Sequence, residues 1–368
     1  MDPRRERVLA VLDVARPVAD ASTDLGGEAR LQLLETTGLS PAGVDLALRD
    51  HLETAATDEE LASLLSAVGA APRCHIVLAA NVCTAACRAI ALATATSERV
   101  VVRPSRRDPG LVPIFVRELG RNERFLRAGG SIEAASELDA EPGEEVHAYG
   151  SDDSIRAIRA ALPRGVVFRG HGTGIGLAVV SSAADLDAAA AALALDIVAF
   201  DQKGCLSPRI AIVVGGIARG EAFSIALHQA LTRAAVSVPR GELDARARTE
   251  VATFRSLASS LGDAREEHDH LVAFFPDALP IPPPHRTFAV TALPDAAAAQ
   301  RLVSPVLRFL TTIGGDLEDD ATRFLATLPG IRRSTLGRMQ KPAFDGPVDR
   351  REGEQQESST QAERRPKR

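Results

Sequence analysis

Apolar residues recur with two different spacings along the chain, and the change between them falls near residue 70. In residues 1–70, apolar positions recur every three to four residues between charged ones, as in VLAVLDVA (8–15), which predicts a layer of helices. From residue 75 onward, short apolar runs alternate with helical stretches of ten to fifteen residues. Such alternation predicts parallel β-sheets covered by helices on both faces.

The alternation can be assigned element by element. The predicted strands are 75–81, 98–105, 144–151, 166–170, 175–180, 209–216, 286–293, 307–315 and 331–333. The predicted helices among them are 84–95, 111–119, 151–162, 185–200, 221–236 and 319–328. The segment 349–368 has no apolar residue except Ala362, so we expect it to be disordered.

Composition narrows the class of protein. A chain of 368 residues is long enough for two domains or one large two-lobed unit. Its 45% hydrophobic and 25% charged residues are typical of a globular protein, and a net charge of -6 does not suggest a nucleic-acid binder. No apolar run reaches the ~18 residues of a membrane span, and no signal peptide is recognisable. Four cysteines in a chain this long indicate reduced thiols in a cytoplasmic protein.

The segment FDQKGCLSP (200–208) holds the first candidate for chemistry. Cys205 lies in a polar loop between a predicted helix and a predicted strand, and a loop joining two α/β units is a common place for a reactive group. A cysteine is a strong nucleophile only as the thiolate. The alternative is a small buried side chain, and the local sequence leaves the two interpretations about equal.

Three further segments follow predicted strands, where ligands collect in doubly wound sheets. Asn81 could donate a hydrogen bond to an oxyanion, or it could cap the helix that begins near Thr84. RPSRRDP (103–109) offers guanidinium groups that suit a phosphate, or a solvated basic turn. Gly150 and Ser151 precede a predicted helix, whose N-terminus can bind an anion, although two aspartates follow them.

Histidines and the remaining cysteines give weaker signals. His171 lies among alternate glycines in RGHGTGIG (169–176) and is either an acid/base group or a structural side chain. We expect no metal, because the spacing of the cysteines and histidine near residue 80 fits no zinc pattern. That set consists of Cys74, His75, Cys83 and Cys87. His268 and His270 are predicted to lie at a solvated helix end.

Taken in order, these segments resemble the acyl-CoA reductase family, the branch of the aldehyde dehydrogenase superfamily that includes the reductase of bacterial bioluminescence. The strongest similarity is ALDIVAFDQKGCLSPRIAIV (194–213), which resembles the family's block around its catalytic cysteine. LGRMQKPAFDGPVD (336–349) resembles the family's C-terminal block, and residues 78–109 and 148–163 resemble its cofactor half.

The resemblance implies an aldehyde-dehydrogenase-like fold, with two Rossmann-like α/β lobes and a cleft between them. We expect an N-terminal helical segment (1–74), a cofactor-binding lobe (75–200) and a catalytic lobe (201–320). A C-terminal return segment (321–350) and a disordered tail (351–368) would complete the chain.

The resemblance also implies a function: NADPH-dependent reduction of an acyl thioester to an aldehyde, with acyl-CoA or an acyl carrier as donor. Cys205 would be the nucleophile and Asn81 the oxyanion-hole amide. The cofactor would contact Arg103, Pro104, Ser105, Arg106, Gly150 and Ser151. Partners allowed by the resemblance are a second copy of the chain or an acyl-transfer enzyme.

One departure from the superfamily bears on mechanism. Hydrolytic aldehyde dehydrogenases have a glutamate base upstream of the cysteine, whereas here His171 falls at that place, 34 residues before Cys205. The absence of a carboxylate fits a reductase, because activated water would hydrolyse the acyl-enzyme. Two alternatives remain open at this point: CoA-acylating oxidation of an aldehyde, and a catalytically silent homologue that serves as an assembly partner.

Overall fold

The N-terminal layer consists of four helices. A computed structural model describes residues 2–294 and 296–349 of the chain, so the tail predicted to be disordered lies outside the described residues. Side-chain caps define the helix starts: Asp2 accepts from the Arg4 amide, and Thr57 and Glu60 form a reciprocal capping box. The helices are α1 (Pro3–Ala19), α2 (Asp24–Thr36), α3 (Pro41–His51) and α4 (Asp58–Ser66).

A five-stranded, fully parallel sheet follows, in the order β3-β2-β1-β4-β5. Helix α1 packs on α5, so the N-terminal layer and the first sheet share one apolar core. The strands are β1 (Cys74–Val77), β2 (Arg99–Arg103), β3 (Ser131–Ala134), β4 (Glu145–Tyr149) and β5 (Val167–His171). The helices are α5 (Ala85–Thr96), α6 (Val112–Leu119), α7 (Glu123–Arg127) and α8 (Asp152–Ala161).

The second sheet has seven strands in the order β12-β11-β6-β7-β10-β9-β8, and only the β8–β9 pair is antiparallel. Apolar cores cover both of its faces. The strands are β6 (Ile175–Val180), β7 (Pro208–Val214), β8 (Asp263–Glu267), β9 (His270–Phe274), β10 (Thr287–Leu293), β11 (Leu310–Gly315) and β12 (Arg332–Ser334). The helices are α9 (Leu186–Val198), α10 (Ile217–Ser237), α11 (Ala245–Leu261) and α12 (Ala296–Val303).

The chain passes from one sheet to the other within a few residues. The first sheet ends at His171, and β6, which begins at Ile175, already belongs to the second. Helix α9 packs on α10 over the second sheet. We therefore propose a lobe division at residues 172–174, and not at residue 200.

Two sequence predictions are wrong in detail. The helix expected over 319–328 is only a short 3₁₀ helix, Arg323–Thr327. His268 and His270 do not end a helix: they lie at the β8–β9 turn, where His268 is exposed and His270 is buried. Over the described residues, no helix is long and apolar enough to cross a bilayer.

Candidate active site

The candidate residues of the first half all gather at one edge of the first sheet. Its five strands are parallel, so their carboxyl ends lie on the same side. Asn81 follows β1, Arg103 ends β2, Gly150 follows β4 and His171 ends β5. The strand order reverses between β1 and β4, and such a switch point is where nucleotides bind in doubly wound sheets.

Cys205 lies in the short loop between α9 and β7. A tight turn, Ala199–Gln202, leads into this loop, and the Ser207 amide donates to the Gly204 carbonyl at 3.1 Å to close it. The buried Thr311 hydroxyl of β11 donates to the Cys205 carbonyl and thereby ties the loop to the second sheet.

Cys205 differs from the other three cysteines in exposure. It is partly exposed, whereas Cys74, Cys83 and Cys87 are buried. Burial raises the pKa of the Cys83 thiol to about 12 and raises the pKa of Cys74 and Cys87 as well. Burial and the raised pKa values therefore argue against thiolate chemistry at Cys74, Cys83 and Cys87.

Asn81 joins the first sheet to the cysteine loop. Its side-chain amide donates to the Lys203 carbonyl at 3.4 Å, and its Oδ1 accepts from the Val82 amide at 3.1 Å. Helix α5 begins after Thr84 without any side-chain cap, so the alternative of a helix-capping Asn81 is wrong. Asn81, the predicted oxyanion donor, thus contacts Lys203, which lies two positions before the predicted nucleophile Cys205.

The glycines near His171 permit close packing against the cysteine. A side chain at Gly174 would place its Cβ 3.0 Å from the Cys205 Cβ and 2.4 Å from the Thr311 Cγ2. A methyl group does not fit at these distances. The loop that follows His171 therefore lies directly against the cysteine loop, as the sequence interpretation of close backbone approach requires.

His171 has partners that the sequence analysis missed. Its ring stacks on Tyr149, with centroids 4.3 Å apart, and its Nε2 lies 3.4 Å from Nδ1 of His147. Glu145 accepts a hydrogen bond at 2.9 Å from Nε2 of His147, so in neutral His147 the Nδ1 atom accepts from His171. The signal was present in EVHAY, because alternate residues of a strand share one face.

Electrostatics support this arrangement of Glu145, His147 and His171. Burial alone would raise the pKa of Glu145, but hydrogen bonds from His147 and Arg169 lower it overall. Glu145 is thus held ionised and buried next to His147. A carboxylate in this position orients the imidazole and fixes its tautomer.

The arginines after β2 are available to a ligand. Within the described residues, the side chains of Arg103 and Arg106 make no hydrogen bond or ion pair. The Ser105 hydroxyl accepts from the Arg107 amide at 3.2 Å and shapes the turn. Unpaired guanidinium groups at the carboxyl end of a parallel sheet suit a phosphate group.

The start of α8 also fits a phosphate. Ser151 caps this helix, its hydroxyl accepting from the Ser154 amide at 3.2 Å. The two aspartates that follow are engaged elsewhere: Asp152 accepts from the Thr173 amide at 2.8 Å, and Asp153 pairs with Arg156. The positive end of the helix dipole at Gly150 and Ser151 therefore remains suited to a pyrophosphate.

The C-terminal block, residues 336–349, contacts the cysteine loop through a side-chain hydrogen bond. The Gln340 side chain donates to the Ser207 hydroxyl, and buried Asp196 accepts from the Gly337 and Met339 amides at 2.6 and 2.9 Å. Burial raises the pKa of Asp196 to about 7, although these amides oppose the shift. The sequence singled out this block by resemblance, but gave no sign that Asp196 holds it.

The folds of known proteins agree with this geometry. An NAD-dependent benzaldehyde dehydrogenase from Corynebacterium glutamicum superposes with a TM-score of 0.68 at 17% identity, covering 91% of this chain and 80% of that one. A lactaldehyde dehydrogenase gives 0.63 at 14% identity, covering 92% and 79%. A mutant of the indole-3-acetaldehyde dehydrogenase AldA from P. syringae, in complex with NAD+ and IAA, gives 0.61 at 14%, covering 92% and 76%.

These similarities establish an aldehyde-dehydrogenase-like fold. A search of curated protein sequences finds no match. The family model described as acyl-CoA reductase (LuxC) matches residues 45–349, which include both the cysteine loop and the C-terminal block. Because this match covers most of the chain, the protein belongs to the acyl-CoA reductase (LuxC) family and is an oxidoreductase that reduces an acyl thioester to an aldehyde.

Proposed function

We propose that Cys205 is the nucleophile that carries the acyl group in this reduction, and that NADPH is the cofactor. The observation that supports the nucleophile is the partial exposure of Cys205. Cys205 alone among the four cysteines is reachable, and its loop contacts the oxyanion donor Asn81 through Lys203.

The first step is acyl transfer to the protein. The Cys205 thiolate attacks the carbonyl carbon of the thioester, a carbon–sulfur bond forms, and the donor thiolate leaves and takes up a proton. An amide nitrogen has two hydrogens, and Asn81 donates one of them to the Lys203 carbonyl. The other serves the oxyanion, together with the Cys205 backbone N–H.

The residues at the carboxyl edge of the first sheet would hold the cofactor. Arg103, Ser105 and Arg106, with Pro104 fixing the turn, would contact the adenosine phosphate, and Gly150 and Ser151 the pyrophosphate. NADPH supplies the hydride when bound, and the resulting thiohemiacetal on Cys205 collapses to the aldehyde and the thiolate. Asn81 stabilises the negative charge on oxygen at both stages.

His171 takes the place of the glutamate base that hydrolytic aldehyde dehydrogenases use to activate water. A carboxylate at this position would activate water and release free acid. An imidazole hydrogen-bonded to His147 and stacked on Tyr149 is held in one orientation and puts no carboxylate beside the acyl-enzyme. We propose that it protects the acyl-enzyme from hydrolysis.

Intact-mass analysis after mixing with acyl-CoA without NADPH tests the nucleophile. We expect one added acyl group, absent in Cys205→Ala and retained in the matched control Cys83→Ala, whose thiol is buried. An adduct that persists in Cys205→Ala would overturn the assignment. NADPH oxidation with acyl-CoA must be lost in the same variant, and a wild-type protein that oxidises NADH but not NADPH would contradict the proposed cofactor.

A further inference from the structure

The three residues before Lys203 have an uncommon backbone conformation. Phe200, Asp201 and Gln202 have φ values of 54°, 49° and 63°, in the left-handed region, and none of them is glycine. This conformation is strained for any residue other than glycine, because it brings Cβ close to the carbonyl oxygen that follows. Strain of this kind persists only where surrounding contacts impose it.

A second strained segment lies opposite the first. His285 and Arg286 have φ values of 78° and 60°, and they precede β10. The Arg286 Nε donates to Asp201 Oδ1 at 2.8 Å, and the two side chains are 1% and 4% exposed. A buried ion pair thus links the two left-handed segments.

Backbone groups complete the link at both residues. The Asp201 carbonyl accepts from the His285 amide at 3.0 Å, and its Oδ2 accepts from the Gly241 amide at 3.0 Å. Arg286 also donates to the Val238 carbonyl at 2.7 Å. Asp201 is therefore held from three directions, by elements that belong to the second sheet and its α10–α11 connection.

The held segment leads directly to the nucleophile. The Lys203 amide donates to the Phe200 carbonyl at 3.0 Å, so the strained turn closes on Lys203, whose own carbonyl accepts from Asn81. Cys205 is two residues further on. Any relaxation of residues 200–202 toward ordinary φ values would rotate Lys203 and carry the cysteine loop away from Asn81.

We propose that Asp201 and Arg286 are positioning residues that impose the left-handed turn and thereby align Cys205 with Asn81. This inference rests on the proposed role of Cys205. A buried ion pair contributes little net stability compared with apolar residues of the same volume. Its value here is geometric, because it holds a conformation that the backbone would otherwise leave.

Two variants test the pair. Asp201→Asn keeps the size, but Arg286 and Gly241 donate to different oxygens of Asp201, and in asparagine one of these two atoms becomes an NH2 donor. Asp201→Leu combined with Arg286→Met removes both charges together and keeps a non-glycine residue at position 201, so the left-handed turn stays costly there. Removal of both partners leaves no buried unpaired charge, so we expect the double variant to fold.

Glu144→Gln is the matched control. Glu144 is also buried and also accepts from an arginine and a backbone amide, Arg73 at 2.8 Å and Glu141 at 2.9 Å. It precedes β4, at the end of the first sheet opposite to the candidate site. It therefore reports the cost of a lost buried carboxylate without any effect on the cysteine loop.

The measurement is the single-turnover rate of Cys205 acylation by acyl-CoA, followed by intact mass, alongside the NADPH dissociation constant. We expect acylation to fall at least tenfold in both Asp201 variants, with NADPH affinity unchanged, and to stay near the wild-type rate in Glu144→Gln. Acylation within twofold of wild type in the folded double variant would overturn the proposal, as would an equal fall in the control.

If the wild-type protein reduces acyl-CoA without acylation of Cys205, this result contradicts the proposed function but not the inference about the geometry of the cysteine loop. The rate of Cys205 alkylation by iodoacetamide then decides the geometry. A rate changed more than threefold in the double variant supports the positioning role, and an unchanged rate contradicts it.

Discussion

Arg103 lies at the carboxyl end of β2, where the adenosine end of a dinucleotide is expected. Because its side chain has no partner among the described residues, Arg103→Ala should remove a phosphate contact without unfolding the strand. A charge-assisted hydrogen bond to phosphate contributes roughly 1.5–3 kcal/mol, so NADPH affinity should fall about tenfold to a hundredfold.

The effect on NADH distinguishes this contact from a structural role. NADH lacks the 2′-phosphate, and its dissociation constant should change much less in Arg103→Ala. Arg99→Ala, at the exposed opposite end of the same strand, is the matched control and should alter neither constant. Fluorescence titration gives all of these values, and an equal loss of both cofactors would mean that Arg103 only shapes the turn.

His171→Glu restores the carboxylate of hydrolytic aldehyde dehydrogenases. We expect thioester hydrolysis without NADPH to rise and aldehyde yield to fall, because a carboxylate beside the acyl-enzyme can activate water. Release of free fatty acid from acyl-CoA is the quantity to measure. His171→Gln, which has no base, should leave hydrolysis at the wild-type level.

The same experiment tests the placement of His171. Hydrolysis that stays at the wild-type level in a folded, NADPH-binding His171→Glu variant would mean that position 171 does not face the acyl group. Its contacts with Tyr149 and His147 would then be structural.

Single residues differ in how far the sequence could identify them. Cys205 and Asn81 could be proposed from their places after predicted elements, and the resemblance gave them roles. The partner of His171 could have been found from the alternation in EVHAY, where His147 and Tyr149 share a face. Arg286 could not, because it lies 85 residues from Asp201 and only tertiary packing brings them together.

At the scale of elements, hydrophobic periodicity predicted most of the buried strands but missed β9, which is buried along its whole length. β6, β7 and β10 are buried along nearly their whole length and appear in the sequence as continuous apolar runs. β3 and β8 were missed because they are edge strands with polar, largely exposed side chains. Helix α11 was missed for a related reason, since few of its residues are buried.

Asp196 on α9, which accepts hydrogen bonds from the C-terminal block, makes the stability of the fold depend on pH. Burial raises its pKa from 3.8 to about 7, so between these values the folded state binds more protons than the unfolded state. The free energy of unfolding contributed by this group therefore falls as pH rises through that window, by up to about 1.4 kcal/mol per pH unit.

The measurement must isolate Asp196 from groups that act in the opposite direction. Burial lowers the pKa of His270 and of His285 to about 4, so these residues make the fold more stable as pH rises toward 6.5. Denaturant unfolding of wild type and Asp196→Asn from pH 5 to 8 separates the two effects. The unfolding free energy of wild type minus that of Asp196→Asn should fall as pH rises toward 7; a difference constant with pH would contradict the raised pKa.

At the scale of the whole molecule, the site depends on how the two sheets meet. The sequence predicts strand order and helix order, and parallel pairing predicts that the loops after β1, β2, β4 and β5 share an edge. No local pattern shows that this edge contacts the α9–β7 loop. That contact consists of a few bonds, such as Asn81 to Lys203, between residues 122 positions apart.

The C-terminal block also connects the halves of the molecule, and Arg88 on α5 holds it. Its guanidinium donates to the carbonyls of Pro342, Ala343 and Gly346 at 2.8–3.1 Å and pairs with Glu53 at 2.8 Å. The side chain is only 4% exposed. A segment that follows the second sheet is thus fastened to a helix of the first.

Loss of the Arg88 guanidinium should therefore release the C-terminal block and destabilise the whole fold. In Arg88→Met we expect the free energy of unfolding to fall by about 3 kcal/mol, because Glu53 and three carbonyls lose a buried partner. Trypsin should cleave faster after Arg338, and acyl-CoA reduction should slow, since Gln340 of the same block supports Ser207. Arg30→Met is the matched control: Arg30 binds Asp45 and the carbonyls of Ala19 and Gly26 within the N-terminal layer. It should destabilise the protein without exposing the C-terminal block, whereas faster cleavage in both variants would show that the block simply reports global stability.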